Sequence, residues 1–495
     1  MSTLQPRDAR TGEPLGSPVP ETTDDQVDAI AAAAGEASET WSGSTGHARH
    51  ALLHGLAAAL EHDREALVEL ADQETALGRQ RLNGELDRTV FQLKRFADLA
   101  LRQIPFSLVD DPEVAGPPPT GHPHLVRQQV PLGPVAMYSA SNFPFAFSVL
   151  GGDTASALAA GCPVVVKAHV GHLLLSQRVL ALAKTVLAQL DLPDGLIGMV
   201  RGRPAGVRLI QHPAMAAGAF TGSNSGGAAL QAAANARPRP IPFYGELGSI
   251  NPVVALPQAV AARGTALAVA LAGSITQGTG QFCTSPGLVI VVDSAGAKEA
   301  KEANDAFIAG IRDLLSDQPT HAMLTTAMRR SFDEGVERWQ EHGAKALLHA
   351  PTTDAAPRPV LAEVSATDFV ARKALQEEVF GPAALVIRAS SVDDVLQVLS
   401  AVGGSLTVTV WGAEAEDADV RRMVRAALSI AGRVLFKGVP TGVAVTAGQQ
   451  HGGPWPSSTQ PMSTSVGDAA LARFLRPVAL QDPPAWVLTQ SGRPL

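Results

Sequence analysis

The 495-residue sequence predicts an α/β protein with two domains, each built on a mainly parallel sheet. Short, continuously apolar strand segments alternate with helical segments from about residue 125 onward, a pattern typical of parallel βαβ units. The pattern begins again after about residue 248, and the length accommodates two or more domains. The chain is therefore expected to contain two successive α/β units.

The elements are predicted in order along the chain. Residues 21–104 are rich in Ala, Leu and Glu at helical spacing, so several helices are expected there, and the Pro- and Gly-rich residues 110–121 predict an exposed connection. LVRQQVPLGPVAMYS predicts two strands around a turn, GDTASALAAG a helix, CPVVVKAH a strand and SQRVLALAKTVLAQLDLP a helix. IGMVRG and AGAFTGS predict the next two strands.

The second unit is expected to contain strands at residues 250–255 and 287–293 around a helix, followed by a helix at residues 297–316. FVARKALQEEVFGPAALVIRAS, SVDDVLQVLSA and SLTVTVWG then predict further helices and strands.

Composition excludes several classes of protein. Hydrophobic residues make up 45% and charged residues 17%, and the formal net charge is −8, with no basic run of the kind that binds nucleic acid. The longest charge-free run, Gly264 to Val292, is interrupted by polar residues, so no membrane span is expected. The first residues lack a signal-peptide pattern, and two cysteines are too few for a disulfide framework. A cytoplasmic protein is the simplest expectation.

Cys283 is the first candidate for chemistry. It lies in the Gly-rich polar segment QGTGQFCTSPG, where glycines let the backbone approach a ligand and polar neighbours could stabilise a thiolate. The alternative is a small buried hydrophobic residue, which is the more common role of a lone cysteine. Cys162, in AGCPVVV, fits that second role.

Two polar residues are candidates for acid–base and oxyanion roles. Glu246, in FYGELGSINPV, stands among small and apolar neighbours, so its pKa is expected to be raised, as suits a general base. A solvated loop glutamate is equally compatible with the pattern. Asn142, in YSASNFPFAFSV, could donate to an oxyanion, although an Asx turn before Pro144 is the simpler interpretation.

Three further segments suggest a bound nucleotide. Lys167 ends the strand CPVVVKAH, at the edge where open α/β sheets bind ligands, and the glycines of FTGSNSGG could hold a pyrophosphate. In EEVFGP, Glu378 could bind ribose hydroxyls while Phe380 packs on a ring. Each has a structural alternative: a solvated lysine, an ordinary turn and a helix end at Gly381.

Taken in order, these segments resemble one family. YSASNFPF, VVVKAH, FTGSNSGG, ELGSINPV, GQFCTSPG and EEVFGP are similar to the ordered motifs of the aldehyde dehydrogenase superfamily, over about residues 10–480. IPFYGELGSINPV, VLFKGVPTGVAV and QQHGGPWPSSTQPMSTSVG further resemble the NADP-preferring branch that includes α-ketoglutaric semialdehyde (2,5-dioxovalerate) dehydrogenase.

The resemblance implies an aldehyde dehydrogenase-like fold of two Rossmann-like domains and a small β oligomerisation arm. The cofactor-binding domain is expected at residues 1–115 and 133–248, the catalytic domain at 249–469, and the arm at 116–132 and 470–495. A homodimer or homotetramer is implied, with a small aldehyde as the partner, and neither nucleic acid, membrane nor metal.

The resemblance also assigns roles. Cys283 is the nucleophile that forms a thioester, Glu246 activates water, and Asn142 holds the oxyanion. Glu378, Phe380, Gly222, Ser223 and Gly227 are expected to bind the cofactor, with Lys167 and His169 near the adenosine ribose. Val170 stands where NAD-specific members usually carry Glu, so NADP is expected to be accepted and NAD possible.

The expected reaction is oxidation of 2,5-dioxopentanoate to 2-oxoglutarate. A medium- or long-chain (fatty) aldehyde dehydrogenase and an inactive relative that only binds are the alternatives, while Glu246 disfavours an acyl-phosphate reductase. Lys437, where the family usually places Asn, either attracts an anionic aldehyde or faces solvent, and the sequence leaves both open.

Overall fold

The computed structural model describes residues 2–293 and 298–488. The chain starts with a small two-stranded antiparallel sheet and then a group of helices, whose apolar faces form one core with the first large sheet. The bounds are β1 (Thr3–Leu4), β2 (Val19–Pro20), α1 (Asp24–Trp41), α2 (Gly46–His62), α3 (Arg64–Thr75) and α4 (Arg79–Leu101), followed by β3 (Val109–Asp111) and β4 (Leu125–Pro131).

The first large sheet has five parallel strands in the order β7-β6-β5-β8-β9. The strand order reverses direction between β5 and β8, so a crevice opens at the carboxyl ends of these two strands. Its elements are β5 (Val135–Tyr138), α5 (Gly152–Ala160), β6 (Val164–Lys167), α6 (Leu173–Gln189), β7 (Ile197–Val200), α7 (Arg203–Gln211), β8 (Ala217–Thr221), α8 (Asn224–Asn235) and β9 (Phe243–Glu246).

The second large sheet has seven strands in the order β12-β13-β14-β11-β10-β15-β16, and its two faces are covered by separate apolar clusters. Only β12 is antiparallel to its neighbour. Its elements are β10 (Pro252–Ala255), α9 (Pro257–Thr276), β11 (Leu288–Val292), α10 (Lys298–Ser316), α11 (Thr326–Glu341), β12 (Lys345–Leu348), β13 (Val360–Ser365), α12 (Ala366–Ala371), β14 (Ala383–Ala389), α13 (Val392–Val402), β15 (Ser405–Trp411), α14 (Ala418–Ile430) and β16 (Ala431–Leu435).

A third sheet forms an arm outside both large sheets. Strand β4 lies between β3 and β17 (Leu475–Gln481), and both neighbours pair with it in antiparallel fashion. This sheet begins at Val109, before the predicted arm boundary at residue 116. A short helix, α15 (Ala485–Leu488), follows, and residues 489–495 of the predicted arm lie outside the described residues.

Two helical segments, Val170–Gln189 and Pro257–Thr276, are long and apolar enough to cross a membrane when judged by length and composition alone. Each connects successive strands of a parallel sheet. Buried leucines of α6, including Leu173 and Leu187, belong to the first core, and Leu271 and Ile275 of α9 belong to a core of the second sheet. Part of the apolar surface of each segment is therefore buried in these cores.

Candidate active site

Cys283 lies in the loop that joins α9 to β11. Three successive residues of this loop, Gly278, Thr279 and Gly280, have positive φ values of 57°, 57° and 66°. A Cβ at Gly280 would meet the carbonyl oxygen of Gly381 at 2.1 Å, so only glycine allows the segment after Phe380 to cross here. The close crossing brings the Cys283 loop and the Glu378 loop to one cleft.

That cleft gathers residues from segments next to both large sheets. It has an empty volume of about 770 Å³, within the range of small-molecule sites. Seven residues predicted from the sequence line it: Asn142, Gly222, Ser223, Glu246, Cys283, Glu378 and Phe380. Asn142 follows β5 and Gly222 follows β8, so the cleft includes the crevice where the strand order reverses.

Cys283 and Glu246 share a third partner that sequence reasoning did not single out. The Nε2 atom of His451 lies 3.5 Å from Sγ of Cys283 and 2.9 Å from Oε1 of Glu246. Ser465 donates its hydroxyl to the other carboxylate oxygen of Glu246. His451 and Glu246 are buried, and Nδ1 of His451 has no hydrogen-bond partner in the described part of the chain. This pattern fits the tautomer that carries its proton on Nε2 and donates it to Glu246.

The electrostatics of this group differ from the prediction. Burial would raise the pKa of Glu246, but His451 and the hydrogen bonds from His451, Ser465 and Cys283 outweigh burial, so the pKa lies below its ordinary value. The raised pKa predicted for Glu246 is therefore wrong. Burial and the Glu246 charge instead raise the pKa of Cys283 well above its ordinary value, with Arg88 opposing them. The resting site thus pairs a protonated thiol with an ionised carboxylate.

Asn142 is fixed by contacts on both sides. Its side-chain amide donates to the carbonyl oxygen of Gln281 at 2.9 Å, two residues before Cys283, and its backbone carbonyl accepts from Arg81 at 2.7 Å. The side chain is buried and faces the cleft that contains Cys283. Its second amide proton is available to an oxygen atom bonded near the sulfur.

Strand β9, which carries Glu246, is supported by a segment from the far end of the chain. Leu247 donates its N–H to the carbonyl of Ser457 at 2.8 Å, and the N–H of Gly245 is bonded to Oγ1 of Thr459 at 2.8 Å. Glu246 also forms a β-bridge with Ser458. The base is therefore held by the same stretch of chain that supplies His451 and Ser465.

Glu378 lines the same cleft beside Gly248. Burial raises the pKa of its carboxyl group to about 7, and a hydrogen bond from the N–H of Ser249 partly offsets this. A Cβ at Gly248 would meet Oε2 of Glu378 at 2.2 Å, so the backbone approaches this carboxylate closely. The N–H of Gly248 in turn donates to the side-chain oxygen of Asn224, at the start of α8.

Three predicted cofactor residues do not line this cleft. Gly227 lies on α8, where a Cβ would meet Leu247 at 2.2 Å, so its position serves close packing of helix on strand. Lys167 ends β6 with its Cγ 3.1 Å from a Cβ position at Gly206. His169 accepts the N–H of Gly171 through Nδ1, and burial lowers its pKa well below the ordinary value, so it is neutral near pH 7.

A carboxylate does approach Lys167, although none follows it in sequence. Glu21, next to β2, lies against the turn before α7, where its carboxyl carbon is 2.8 Å from a Cβ position at Gly202. Burial lowers the pKa of Lys167, and the charge of Glu21 opposes that shift. Sequence reasoning missed Glu21 because it stands almost 150 residues from its partner in the chain.

Comparison with known proteins decides the family. A family model described as "Aldehyde dehydrogenase family" matches residues 2–476. The chain belongs to the aldehyde dehydrogenase family. It is thus an oxidoreductase that acts on a small-molecule aldehyde, with a nicotinamide cofactor.

Three named dehydrogenases resemble the chain along most of its length. "Alpha-ketoglutaric semialdehyde dehydrogenase 2" of Azospirillum brasilense is 41% identical, with 97% of this chain and 92% of that protein covered. The "Alpha-ketoglutaric semialdehyde dehydrogenase" of Acinetobacter baylyi is 36% identical, with 97% and 91% covered. The "Geranial dehydrogenase" of Castellaniella defragrans is 32% identical, with 89% and 90% covered.

Solved structures confirm the fold prediction. Aldehyde dehydrogenase 21 of Physcomitrella patens, solved with the reaction product succinate, has a TM-score of 0.79 at 20% identity and covers 97% of this chain and 94% of its own. The 1-pyrroline-5-carboxylate dehydrogenase from Thermus, solved with bound NAD, has a TM-score of 0.80 at 19% identity, with 97% and 90% covered. The predicted aldehyde dehydrogenase-like α/β fold is therefore correct.

His451 is the main residue of this aldehyde dehydrogenase that the sequence did not reveal. It stands in QQHGGPWPSST, a segment that contributed to the family resemblance, but a lone histidine among glycines gave no sign of its distance from Cys283. Lys437, by contrast, is exposed in the single chain, just after β16. Its charge acts on Glu414, which pairs with Arg263 at 2.7 Å on the outer surface.

Proposed function

We propose that this aldehyde dehydrogenase oxidises 2,5-dioxopentanoate to 2-oxoglutarate with NADP or NAD, through a thioester on Cys283. One observation carries the proposal: Cys283, Glu246 and Asn142 line a single cleft together with Glu378 and Phe380. An inactive relative would have no need of a nucleophile, a base and an oxyanion donor in one place. The names of the relatives from Azospirillum brasilense and Acinetobacter baylyi support the choice of substrate.

The residues present fit a nicotinamide cofactor. The crevice between β5 and β8 ends at Gly222 and Ser223, and Ser223 caps α8 by accepting the N–H of Gly226 at 3.2 Å. Glu378 offers its carboxylate to ribose hydroxyls. The backbone at Gly248 lies so close to this carboxylate that a side chain at position 248 would not fit. Phe380 lines the same cleft and would pack beside the ring.

The steps follow from these positions. The Cys283 thiol passes its proton to Glu246 as sulfur bonds to the aldehyde carbon, and Asn142 and the Cys283 N–H hold the oxyanion. A bound nicotinamide would supply the hydride acceptor, and loss of hydride from that carbon would leave a thioester on Cys283. Glu246, having released its proton to solvent, takes a proton from water, whose oxygen attacks the thioester and frees the acid.

The choice between NADP and NAD depends on the region around Lys167. A free lysine would attract a 2′-phosphate. Val170, which stands where NAD-specific relatives are expected to carry Glu, is 45% exposed and has no carboxylate to repel that phosphate, which supports use of NADP. Glu21 works in the opposite direction, because its charge repels phosphate and a carboxylate can accept ribose hydroxyls. We propose that both cofactors are used.

A second candidate substrate is a medium-chain or longer apolar aldehyde. An apolar cluster adjoins Cys283 through the neighbouring Phe282, and it favours such a chain. Its buried members are Ala140, Phe143, Ala146, Phe147, Phe282, Val445 and Val466. Arg81 lies over the Phe282 ring and Arg88 over the Phe147 ring, and these cations favour the anionic aldehyde instead, since a long alkyl chain would leave them unpaired.

The test is kcat/KM for 2,5-dioxopentanoate and for hexanal, each with NADP and NAD. A strong preference for the dioxo acid supports the proposal, and a preference for hexanal would move the substrate to apolar aldehydes. Cys283→Ser should abolish turnover, whereas Cys162→Ala is the matched control. Cys162 is fully buried and its sulfur contacts the carbonyl of Phe474 at 3.4 Å, so its loss should spare activity.

We further propose that the protein is a cytoplasmic homodimer or homotetramer. The arm sheet supports this, because β3 and β17 each have one edge without a partner in the described residues, and such edges are prone to pair with another chain. Light scattering would measure the assembly.

A further inference from the structure

One face of α4 carries polar side chains into the interior beside the cleft. Arg81, Glu85, Arg88 and Gln92 recur at intervals of three and four residues, so they lie along a single helix face. Glu85 is buried and accepts the N–H groups of Phe145 at 2.7 Å and Ala146 at 2.9 Å through Oε1. This face is therefore anchored to the segment that follows Asn142.

Arg88 points from this face toward the apolar cluster of the cleft. Its guanidinium carbon lies 5.3 Å from the ring centre of Phe147 and 6.0 Å from that of Phe143. Phe143 packs edge-on against Phe282 at 5.2 Å, and Phe282 immediately precedes Cys283. The Arg88 guanidinium thus lies against a row of aromatic rings that begins next to Cys283.

The donors of Arg88 are unused. Within the described ranges it makes no hydrogen bond or ion pair, and its Nε and Nη2 atoms are enclosed without a partner. Burial lowers the pKa of Arg88, and the charges of Glu85, Cys283 and Glu246 oppose that shift. Leaving enclosed, charged donors unpaired is costly, so a native protein is expected to supply an acceptor.

Neighbouring charges do not supply that acceptor. Arg81 adds a second cation and uses only Nη2, on the carbonyl of Asn142, while its Nη1 is also enclosed without a partner. Both arginines act on Glu85, but its Oε2 atom has no hydrogen-bond partner among the described residues, and Glu246 is already held by His451 and Ser465. A carboxylate is the ligand that matches a guanidinium, because it accepts two parallel N–H groups.

We infer that Arg88 binds the distal carboxylate of the substrate, with Phe143 and Phe147 flanking the short carbon chain that leads to the aldehyde at Cys283. The inference rests on the proposed function and identifies Arg88 as the residue that anchors the substrate carboxylate. Other cations near the site are less suitable. Arg433 already donates to the carbonyls of Pro440 and Gly442, and Lys437 faces outward.

The test compares Arg88→Met and Arg88→Lys with wild type, on 2,5-dioxopentanoate and hexanal. Arg88→Met should lower kcat/KM for the dioxo acid by about 100-fold or more, mainly through KM, because a buried charge pair is lost. Activity on hexanal should stay within about threefold of wild type or increase. Arg88→Lys keeps the charge but not the paired donors, so its kcat/KM for the dioxo acid should lie between the values of wild type and Arg88→Met. Arg79→Met is the matched control, since Arg79 lies on the same helix and pairs with Glu65 at the surface.

The outcomes separate the two proposals. If wild type prefers hexanal, the proposed function fails and the inference with it. If wild type prefers the dioxo acid but Arg88→Met impairs both aldehydes equally and moves iodoacetamide alkylation of Cys283 to higher pH, Arg88 serves the thiolate and the anchor is wrong. An unchanged KM for the dioxo acid in Arg88→Met also overturns it. Circular dichroism and cofactor binding verify that each variant is folded.

Discussion

Replacing Glu246 by Gln should move two properties of Cys283 in opposite directions. The variant keeps the shape of the side chain but removes its charge and its basicity. A carboxylate oxygen of Glu246, Sγ of Cys283 and a ring nitrogen of His451 all lie within 4.8 Å of one another. At an effective dielectric constant of about 20, a charge at that distance disfavours the thiolate by about 3.5 kcal/mol, before the alternative hydrogen bonds of the amide are considered.

Loss of this repulsion should lower the pKa of Cys283, so the midpoint of its alkylation by iodoacetamide should move to lower pH. Turnover should nevertheless fall by about 100- to 10,000-fold, because no base remains to activate water. A burst of NADPH formation should survive, because the lower pKa of Cys283 lets the thiol lose its proton to water instead of Glu246, so that the thioester still forms and then accumulates. Rapid-mixing absorbance at the NADPH band and alkylation across a pH series measure both effects.

Ser465→Ala is the matched control for this variant. It removes one hydrogen bond to Glu246 while the charge stays, so turnover should fall by only about 10- to 100-fold and the alkylation midpoint should stay close to wild type. The reasoning would be refuted if Glu246→Gln retained turnover, or if its alkylation midpoint moved to higher pH.

Three further predictions concern the carboxylates of Glu378, Glu21 and Glu74. Because the pKa of Glu378 is raised to about 7, affinity for NADP should increase between about pH 6 and 8 as this group ionises, and Glu378→Gln should flatten that profile in a fluorescence titration. Glu21→Gln should raise the ratio of kcat/KM with NADP to kcat/KM with NAD by about tenfold, because the charge near Lys167 that repels the 2′-phosphate is lost. An unchanged ratio would show that Glu21 does not select the cofactor. Burial raises the pKa of Glu74 from 4.5 to about 7, so the free energy of unfolding should fall by about 3 kcal/mol as the pH rises from below 4.5 through 7. In denaturant titrations, Glu74→Gln should lose less stability than wild type across this range, and an equal loss would contradict the assignment.

Much of the fold could be predicted from the sequence, because its signals are local. Parallel strands buried on both faces are continuously apolar, as in VVVK before the cleft and LVIVV after Cys283, and the helices between them carry one apolar stripe. The start of the arm at Val109 was harder to predict, since Val109–Asp111 has no apolar periodicity and is a strand only through pairing with β4.

The site was less predictable where its chemistry depends on distant partners. Cys283, Glu246 and Asn142 could be proposed because each lies in a recognisable motif. The lowered pKa of Glu246 could not be predicted, because the direction of the shift depends on His451, which stands 205 residues away in the chain. The unused donors of Arg88 likewise leave no trace in sequence, where an arginine on an amphipathic helix looks like any solvated residue.

The support of β9 by residues 457–459 has a consequence for the order of folding during synthesis. The five strands of the first sheet are complete once residue 246 has been made, and Cys283 follows soon after. Ser465 and His451 emerge only on the order of ten seconds later, at the usual rate of translation. Until then the edge of β9 is open and the Glu246 carboxylate is free of both partners. A ribosome-bound chain that ends before residue 451 should therefore carry a folded first sheet in which Glu246 still lacks both partners.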